Sequence, residues 1–580
     1  MAHDLIIRGG TVVDGTGAAP RLADVAVDDG VITTVGDLTG VAATEEIDAT
    51  GRLVTPGFVD IHTHYDGQAT WDSELAPSAW HGVTTLVMGN CGVGFAPVRP
   101  GQEEWLIGLM EGVEDIPGTA LSEGITWSWE TFPEYLDALD QLEWTVDVGT
   151  QVPHGAVRAY VMGERGAKNE PATPDDIEQM AEIVREAVAA GALGFSTSRT
   201  IVHVAIDGEP VPGTFAAEDE LFGIGRALGD LGKGLIELAP AGAAGEDVVS
   251  PEKEVDWMVR LSAETGRPVT FALLQVNDAP DLWQKLLDLC SRAAADGAQV
   301  FPQVPGRPFG LLSGHQTTYN ILDAVPAYTE LKAQGLPFEQ LVDRLADPDV
   351  RASIVDGDLD DETRKRLDDA YAMTYVIGTP PDYEPGPEKT IVAVAEANGV
   401  TPLEAVYDAL LEDEGRAMLM VPFLNYSRGN SDHNREMLLN DQAVLGLSDG
   451  GAHVGIICDA STPTTNLAHW TRDRTRGEQI PLEFIVHKQT QATAELFGFG
   501  DRGVVAPGFR ADLNVIDHDR IQVDNPVMHH DLPAGGKRLL QRSVGYDATI
   551  CNGVVTYRNG TDTGARPGRL VRGAQPAPSA

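Results

Sequence analysis

The sequence predicts an α/β fold, a (β/α)8 TIM-like barrel with a small β-sandwich domain formed from both chain ends. Eight short apolar runs alternate with helical patterns through the middle of the chain, as parallel strands joined by helices do. Both chain ends consist instead of short β-rich runs separated by tight turns. With 580 residues, of which 42% are hydrophobic, the chain is long enough for several domains and a large core.

The first 55 residues have the pattern of β-hairpins. Gly-Gly divides two β-rich runs in DLIIRGGTVVDG, and Asp-Gly does the same in DVAVDDGVITTVG. From about Val504 the pattern returns in GVVAPGFRADLNVID and ATICNGVVTYRNG. We therefore expect residues 1–55 and 504–580 to form one β-domain, and residues 56–503 to form the barrel.

The eight predicted barrel strands are GFVDIHTH, VTTLVMGN, WTVDVGTQ, ALGFSTS, GLIELAP, PVTFALLQ, AQVFPQV and AVLGLSDG. The segments between them show helix signals, such as Thr173 as N-cap, Pro174 in the first turn and Gly191 at the end. About 140 residues separate the last two runs, far more than a usual loop. This segment contains helical patterns, so we expect an ordered insertion at about 313–442, a candidate lid.

The overall charge excludes some classes of partner. A net charge of −47 argues against nucleic acid and against an anionic membrane surface, since both need clustered basic residues. The four cysteines are scattered, and neither a signal peptide nor an apolar run of membrane-spanning length is present. We therefore expect a cytoplasmic protein that acts on a small molecule.

Two histidines close the first predicted strand, in PGFVDIHTHYDG. Residues two apart in a strand point to the same face, so His62 and His64 present their imidazoles side by side. Neutral imidazole is a common zinc ligand, although two polar residues at a barrel mouth would fit the same pattern. Asp449 ends the last strand in a glycine-rich turn, where it suits metal ligation and proton transfer, or an Asx-turn.

Four motifs together, PGFVDIHTH, GVTTLVMGNCG, GLSDGGAH and RGVVAPGFRADLNVID, resemble the amidohydrolase superfamily, and within it the N-acyl-D-amino-acid deacylases. The resemblance covers nearly the whole chain. It implies that His62 and His64 bind the metal, that Cys91 is a zinc ligand, and that Asp449 is both a ligand and the catalytic base. The implied cofactor is Zn²⁺, one or two ions, with another divalent metal left open.

One departure concerns the fifth and sixth strands, where this branch of the superfamily carries further histidines. The corresponding stretches, GLIELAPAG and PVTFALLQVND, contain Glu237 and Gln275 instead. Glu237 is a candidate oxygen ligand, or a hydrogen-bonded residue at the barrel mouth. We expect a one-metal site made by His62, His64 and Asp449 with help from Cys91 or Glu237, although complete loss of the metal is a real alternative.

The resemblance implies a metal-dependent hydrolase of carbon–nitrogen bonds other than peptide bonds, acting on an N-acyl amino acid. A metal-bound water would attack the carbonyl, with Asp449 as general base. Cyclic amides such as imides and hydantoins are the alternative substrates. A second alternative, outside the hydrolases, is a barrel that has lost its metal and binds a small ligand. The family also leaves a homo-oligomer open.

Further residues are candidates for substrate binding. Arg199 follows the fourth strand and suits a substrate carboxylate or a surface ion pair, and His203 lies shortly after it. His453, four residues after Asp449, is placed to orient that carboxylate or to touch substrate. Candidate lid contacts in the insertion are Tyr426 and Arg428.

Overall fold

A computed structural model describes residues 2–579 and contains a barrel of eight parallel strands. This confirms the predicted fold class. In chain order the barrel strands are Phe58–Asp60, Val83–Met88, Asp147–Thr150 with its continuation Val152–Pro153, Gly194–Ser198, Leu235–Ala239, Val269–Ala272, Val300–Val304 and Val444–Leu445. We refer to them below as the first to eighth strands.

Each barrel strand pairs in parallel with the next one along the chain. The first and eighth strands meet just beyond their ends, where Thr63 forms a parallel bridge with Gly450. Two backbone hydrogen bonds reinforce this closure, from Asp449 N to His62 O at 3.1 Å and from His64 N to Gly450 O at 2.7 Å. The barrel thus closes at His62, His64 and Asp449, which the sequence predicts to be metal ligands.

Helices surround the barrel, and their ends follow the predicted signals. Thr173 caps the helix Pro174–Ala190 by accepting from Asp176 N, while the Asp176 carboxylate accepts from Thr173 N. No helix among residues 2–579 is both long and apolar enough to cross a bilayer. The principal helices after the second to eighth strands are Glu103–Glu114, His154–Met162, Pro174–Ala190, Glu218–Leu231, Ser250–Thr265, Leu282–Ala295, Asp432–Leu439 and Leu482–Lys488.

Strands from both chain ends form one nine-stranded sheet, as predicted. The N-terminal strand His3–Val12 is central, because Ala43–Asp48 pairs with its first half and Leu53–Pro56 with its second. Leu53–Pro56 then pairs with Leu513–Ile516, which joins the two ends of the chain. The other strands are Arg21–Asp28, Val31–Gly36, Tyr546–Cys551, Val554–Arg558 and Thr561–Asp562.

The long segment between the seventh and eighth strands has a hydrophobic core of its own, which includes Tyr328, Leu345 and Tyr407. Its three-stranded sheet consists of Phe309–Ser313, Tyr375–Val376 and Leu419–Leu424. The segment is therefore an ordered unit placed beside the carboxyl end of the barrel. Its helices are Pro326–Lys332, Phe338–Leu345, Pro348–Val355, Asp361–Met373, Ile391–Asn398 and Pro402–Gly415.

Candidate metal centre

Three barrel strands are followed by the nominated ligands. His62 and His64 come after the first strand, Cys91 after the second and Asp449 after the eighth. All four side chains are buried. Cys91 and Asp449 have left-handed backbone conformations, with φ of 54° and 47°. Such conformations are costly for residues other than glycine and concentrate at functional sites.

The ligand atoms of His62, His64 and Cys91 lie close together, and the Asp449 carboxylate approaches both imidazoles. His62 Nε2 lies 3.3 Å from Cys91 Sγ and 3.4 Å from Asp449 Oδ1. His64 Nε2 lies 3.8 Å from the same Asp449 oxygen. The ligand atoms of His62, His64 and Cys91 all lie within 4.8 Å of one another. The structure therefore brings together His62, His64 and Asp449, the three residues expected to make the site, and it places Cys91, one of the two expected assisting ligands, beside His62.

This donor set fits a divalent cation of the zinc type. Zinc is bound by imidazole nitrogen, thiolate sulfur and carboxylate oxygen, and bonds of about 2.0–2.3 Å place neighbouring donors roughly 3.3–3.6 Å apart. The spacings around His62 Nε2 agree with that range. His62 Nδ1 lies 2.8 Å from Gln303 Oε1, which leaves Nε2 free to face the cluster.

Glu237, in the fifth strand, lies on the Nδ1 side of the His62 ring, whereas the other ligand atoms lie on the Nε2 side. One carboxylate oxygen accepts a 2.9 Å hydrogen bond from Cys91 N, and the other lies 3.8 Å from His62 Nδ1. Glu237 thus faces the side of the imidazole opposite to Nε2 and holds the strained backbone of Cys91. These contacts favour a supporting role over direct ligation.

Glu237 variants separate these two roles. Glu237→Ala should weaken zinc binding about 10–100-fold, as loss of an outer-shell partner usually does. Glu237→Gln should stay close to wild type, because its amide oxygen still accepts from Cys91 N. Zinc dissociation constants measured against a competing chelator test this. If Glu237→Gln and Glu237→Ala both reduce zinc affinity as much as His64→Ala does, Glu237 is itself a ligand.

Gln275, the residue near the end of the sixth strand, does not take the place of a histidine ligand. Its side-chain oxygen accepts from Ser427 N at 3.1 Å, and its amide nitrogen donates to Pro280 O at 3.3 Å. Gln275 therefore fixes the loop that returns from the insertion. Gln303, which the sequence analysis passed over, contacts His62 instead, from the seventh strand.

Burial sets the protonation states of the cluster. It lowers the pKa of His62 to about 4 and that of His64 well below its usual value, so both imidazoles are neutral at pH 7 and able to bind a metal. Burial also raises the pKa of the Cys91 thiol and of the Asp449 carboxyl, with nearby carboxylates adding to both shifts. A cation at the centre would counter these two shifts and favour the charged ligands.

One buried carboxylate at the centre was missed by the sequence analysis. Glu114 is the last residue of the helix Glu103–Glu114 and is 1% exposed. Its Oε1 lies 3.3 Å from His64 Nδ1, and its Oε2 lies 3.5 Å from His453 Nε2. A glutamate near a helix end in the sequence has no feature that distinguishes it from an exposed one, so only the folded chain reveals this contact.

His453 and His203 both lie beside the cluster. His453 contacts Glu114 as described and has a left-handed φ of 49°. His203 Nδ1 lies 3.0 Å from the Oγ atom of Ser198, the last residue of the fourth strand. Burial lowers the pKa of each histidine to about 4, so both rings are neutral at pH 7. Both rings remain candidates for substrate contact.

The structure does not bring Arg199, Tyr426 and Arg428 to the cluster. Arg199 forms a 2.8 Å ion pair with Glu254, because its side chain turns outward against a barrel helix. The Tyr426 hydroxyl donates to Pro385 O at 2.6 Å, within the insertion. Arg428 is exposed and pairs with an aspartate on the surface. Their contacts offer no support for the predicted role in substrate binding.

A sequence profile of the amidohydrolase family matches residues 45–557. An uncharacterized protein of Mycobacterium tuberculosis is 29% identical over 97% of this chain and 92% of its own length. A D-aminoacylase of Alcaligenes xylosoxydans xylosoxydans is 27% identical over 98% of this chain and 97% of its own.

A solved D-aminoacylase structure superposes with a TM-score of 0.65 at 25% identity, covering 98% of this chain and 100% of the other. That protein has a binuclear metal centre, in which one metal activates and the second attenuates. An N-acyl-D-glutamate deacylase from Bordetella bronchiseptica, complexed with zinc and a phosphonate inhibitor, shares the fold with a TM-score of 0.64 at 22% identity over 99% of this chain and 100% of the other.

Proposed function

Because the chain belongs to the amidohydrolase family, we propose that it is a metal-dependent hydrolase of carbon–nitrogen bonds other than peptide bonds, with an N-acyl amino acid as its substrate. The observation that carries this proposal is the convergence of His62 Nε2, His64 Nε2 and Asp449 Oδ1 at the carboxyl end of the barrel. The similarity to D-aminoacylases over nearly the full chain supports the substrate class.

His62, His64 and Asp449 would hold one divalent cation, zinc being the best match, with Cys91 Sγ beside His62 Nε2. When bound, such a cation polarises a scissile carbonyl and makes an attacking water more acidic. The histidines that this branch of the family carries after the fifth and sixth strands are replaced here by Glu237 and Gln275. The Glu237 carboxylate accepts from Cys91 N, and the Gln275 side chain accepts from Ser427 N in the loop that returns from the insertion. We therefore expect one ion rather than two.

Asp449 would transfer the proton in this reaction. Its carboxylate takes a proton from the attacking water as the new carbon–oxygen bond forms. It then returns that proton to the leaving nitrogen as the carbon–nitrogen bond breaks, so that a carboxylic acid and an amine are released. His203 and His453, beside the cluster, would contact the substrate and fix its orientation.

A second candidate function, hydrolysis of cyclic amides, is favoured by one observation. An N-acyl amino acid carries a carboxylate, yet the nominated Arg199 is already paired with Glu254. Within residues 2–579, no lysine or arginine lies within ion-pair distance of Asp449, Glu114 or Glu237. A neutral ring such as an imide or hydantoin needs no such cation.

Metal analysis and a substrate panel test the proposal together. Protein purified without chelator should contain about one equivalent of a divalent transition metal, chelation should abolish hydrolysis, and readdition of zinc should restore it. The panel consists of N-acetyl-D-amino acids, their L-enantiomers, and cyclic imides and hydantoins. Full activity after verified metal removal would contradict the mechanism, and metal-free protein that hydrolyses nothing would favour a ligand-binding barrel.

A further inference from the structure

Glu114 occupies an unfavourable position for a carboxylate. It is buried, and within the described part of the chain its only ion-pair contacts are the imidazoles of His64 and His453. It also ends the helix Glu103–Glu114, where the partial negative charge of the helix dipole disfavours an anion. Such an arrangement costs stability, which suggests that Glu114 is retained for a function.

Glu114 Oε1 and His64 Nδ1 face each other and are both buried. Neither Glu114 Oε1 nor His64 Nδ1 makes a hydrogen bond among the described residues, and they lie 3.3 Å apart. The other nitrogen of the same ring, Nε2, lies 3.8 Å from Asp449 Oδ1 on the metal side. A histidine that binds a metal through one nitrogen commonly donates from the other to a carboxylate, which fixes its tautomer and ring orientation.

From this geometry we propose that Glu114 is a positioning residue for the metal centre: its carboxylate accepts a hydrogen bond from Nδ1–H of His64, which leaves Nε2 for the metal, and it also holds His453 beside the site. This inference rests on the proposed metal-dependent function. It assigns no bond-making step to Glu114, whose role is to orient His64 and His453.

The helix end at Glu114 is anchored to the loop that follows the eighth strand. Glu114 O accepts a hydrogen bond from His453 N. Asp115, in the left-handed conformation with φ of 51°, accepts from Gly455 N at 3.1 Å. The helix end is thereby joined to the loop that follows the eighth strand. This double attachment links the elements after the second and eighth strands at the metal centre.

The body of the same helix is also fixed. A Cβ atom on Gly112 would lie 2.5 Å from the backbone of Ala205 and Ile206, and Ile206 N donates to Gly108 O at 3.2 Å. The loop after the fourth strand therefore packs directly on the helix backbone. This packing restricts movement of the helix, so the carboxylate of Glu114 is held close to His64, which is what a positioning residue requires.

Zinc affinity and the visible spectrum of the cobalt-substituted protein test this role. Glu114→Ala should weaken zinc binding about 10–100-fold, measured against a competing chelator. Glu114→Gln should lose less, roughly three- to tenfold, since its amide oxygen still accepts a hydrogen bond but without charge. In both variants the cobalt absorption bands should shift, because reorienting His64 alters the ligand field.

Glu111→Gln is the matched control, since Glu111 lies on the same helix and its side chain accepts, among the described residues, a single hydrogen bond from Gly118 N. It should leave zinc affinity and the cobalt spectrum unchanged. If both Glu114 variants match this control, Glu114 is merely structural and the inference fails. If Glu114→Ala does not fold, Glu114→Gln alone decides by the same two readouts. Wild-type protein that binds neither zinc nor cobalt would overturn the proposed function itself, and the inference with it.

Discussion

Asp449→Asn should lower kcat by about 10²–10⁴-fold, the usual contribution of a general base, with the fold intact. Asparagine keeps the shape of aspartate and one oxygen donor, but it cannot accept the proton of the attacking water. Because proton transfer belongs to the transition state, the loss should appear in kcat more than in KM. Steady-state kinetics on the best substrate of the panel, with metal content measured in parallel, provide the test.

The position of Asp449 explains why the effect should be this large. Its Oδ1 lies 3.4 Å from His62 Nε2 and 3.8 Å from His64 Nε2, so it shares the metal centre with both imidazoles. Burial raises the pKa of its carboxyl, which disfavours the ionised form that a base requires. A nearby dication has the opposite effect, so the base is active only when the metal is present.

Asp147→Asn provides a matched control, since Asp147 is also a buried carboxylate. It begins the third strand, at the opposite end of the barrel, and pairs with Arg502 and Arg510. Its loss should lower the thermal midpoint and leave kcat unchanged. If Asp449→Asn remains within about tenfold of wild type, another group is the base, and His203 and His453 are the next candidates.

The sequence predicts the fold well because each element carries a local signal. Apolar runs bounded by glycine and proline mark the barrel strands, and Thr173 with Pro174 marks the start of a helix that the structure confirms. His62 and His64 are two residues apart, and side chains alternate between the two faces of a strand, so the sequence predicts that both imidazoles lie on the same face. Parallel strands then place Cys91 and Asp449 at the same end of the barrel.

Residues whose role depends on tertiary contacts escaped the sequence analysis. Glu114 reaches His64 only because its helix is packed against the loop after the fourth strand. Gln303 contacts His62 from the seventh strand, at a separation of 241 residues. Conversely, Arg199 follows a barrel strand as a functional residue would, yet its side chain turns outward to Glu254. No pattern of residue types distinguishes these outcomes before the chain is folded.

His62→Ala should abolish tight metal binding and, with it, turnover. Among residues 2–579, His62 is the only histidine whose Nε2 contacts both Cys91 Sγ and Asp449 Oδ1, so its removal takes away the nitrogen that lies between these two ligand atoms. The loss of affinity should exceed the 10–100-fold that is typical for an outer-shell partner. Metal content after dialysis, and zinc affinity against a chelator, measure it directly.

His315→Ala separates this effect from a general loss of stability. His315 is also buried, but it lies in the insertion and contacts the Tyr328 hydroxyl at 2.9 Å. Its removal should lower the thermal midpoint and leave zinc binding intact. If His62→Ala retains a full equivalent of metal and normal turnover, the metal must be bound elsewhere. In that case the convergence of His62, His64 and Asp449 would have to be explained as a buried polar network alone.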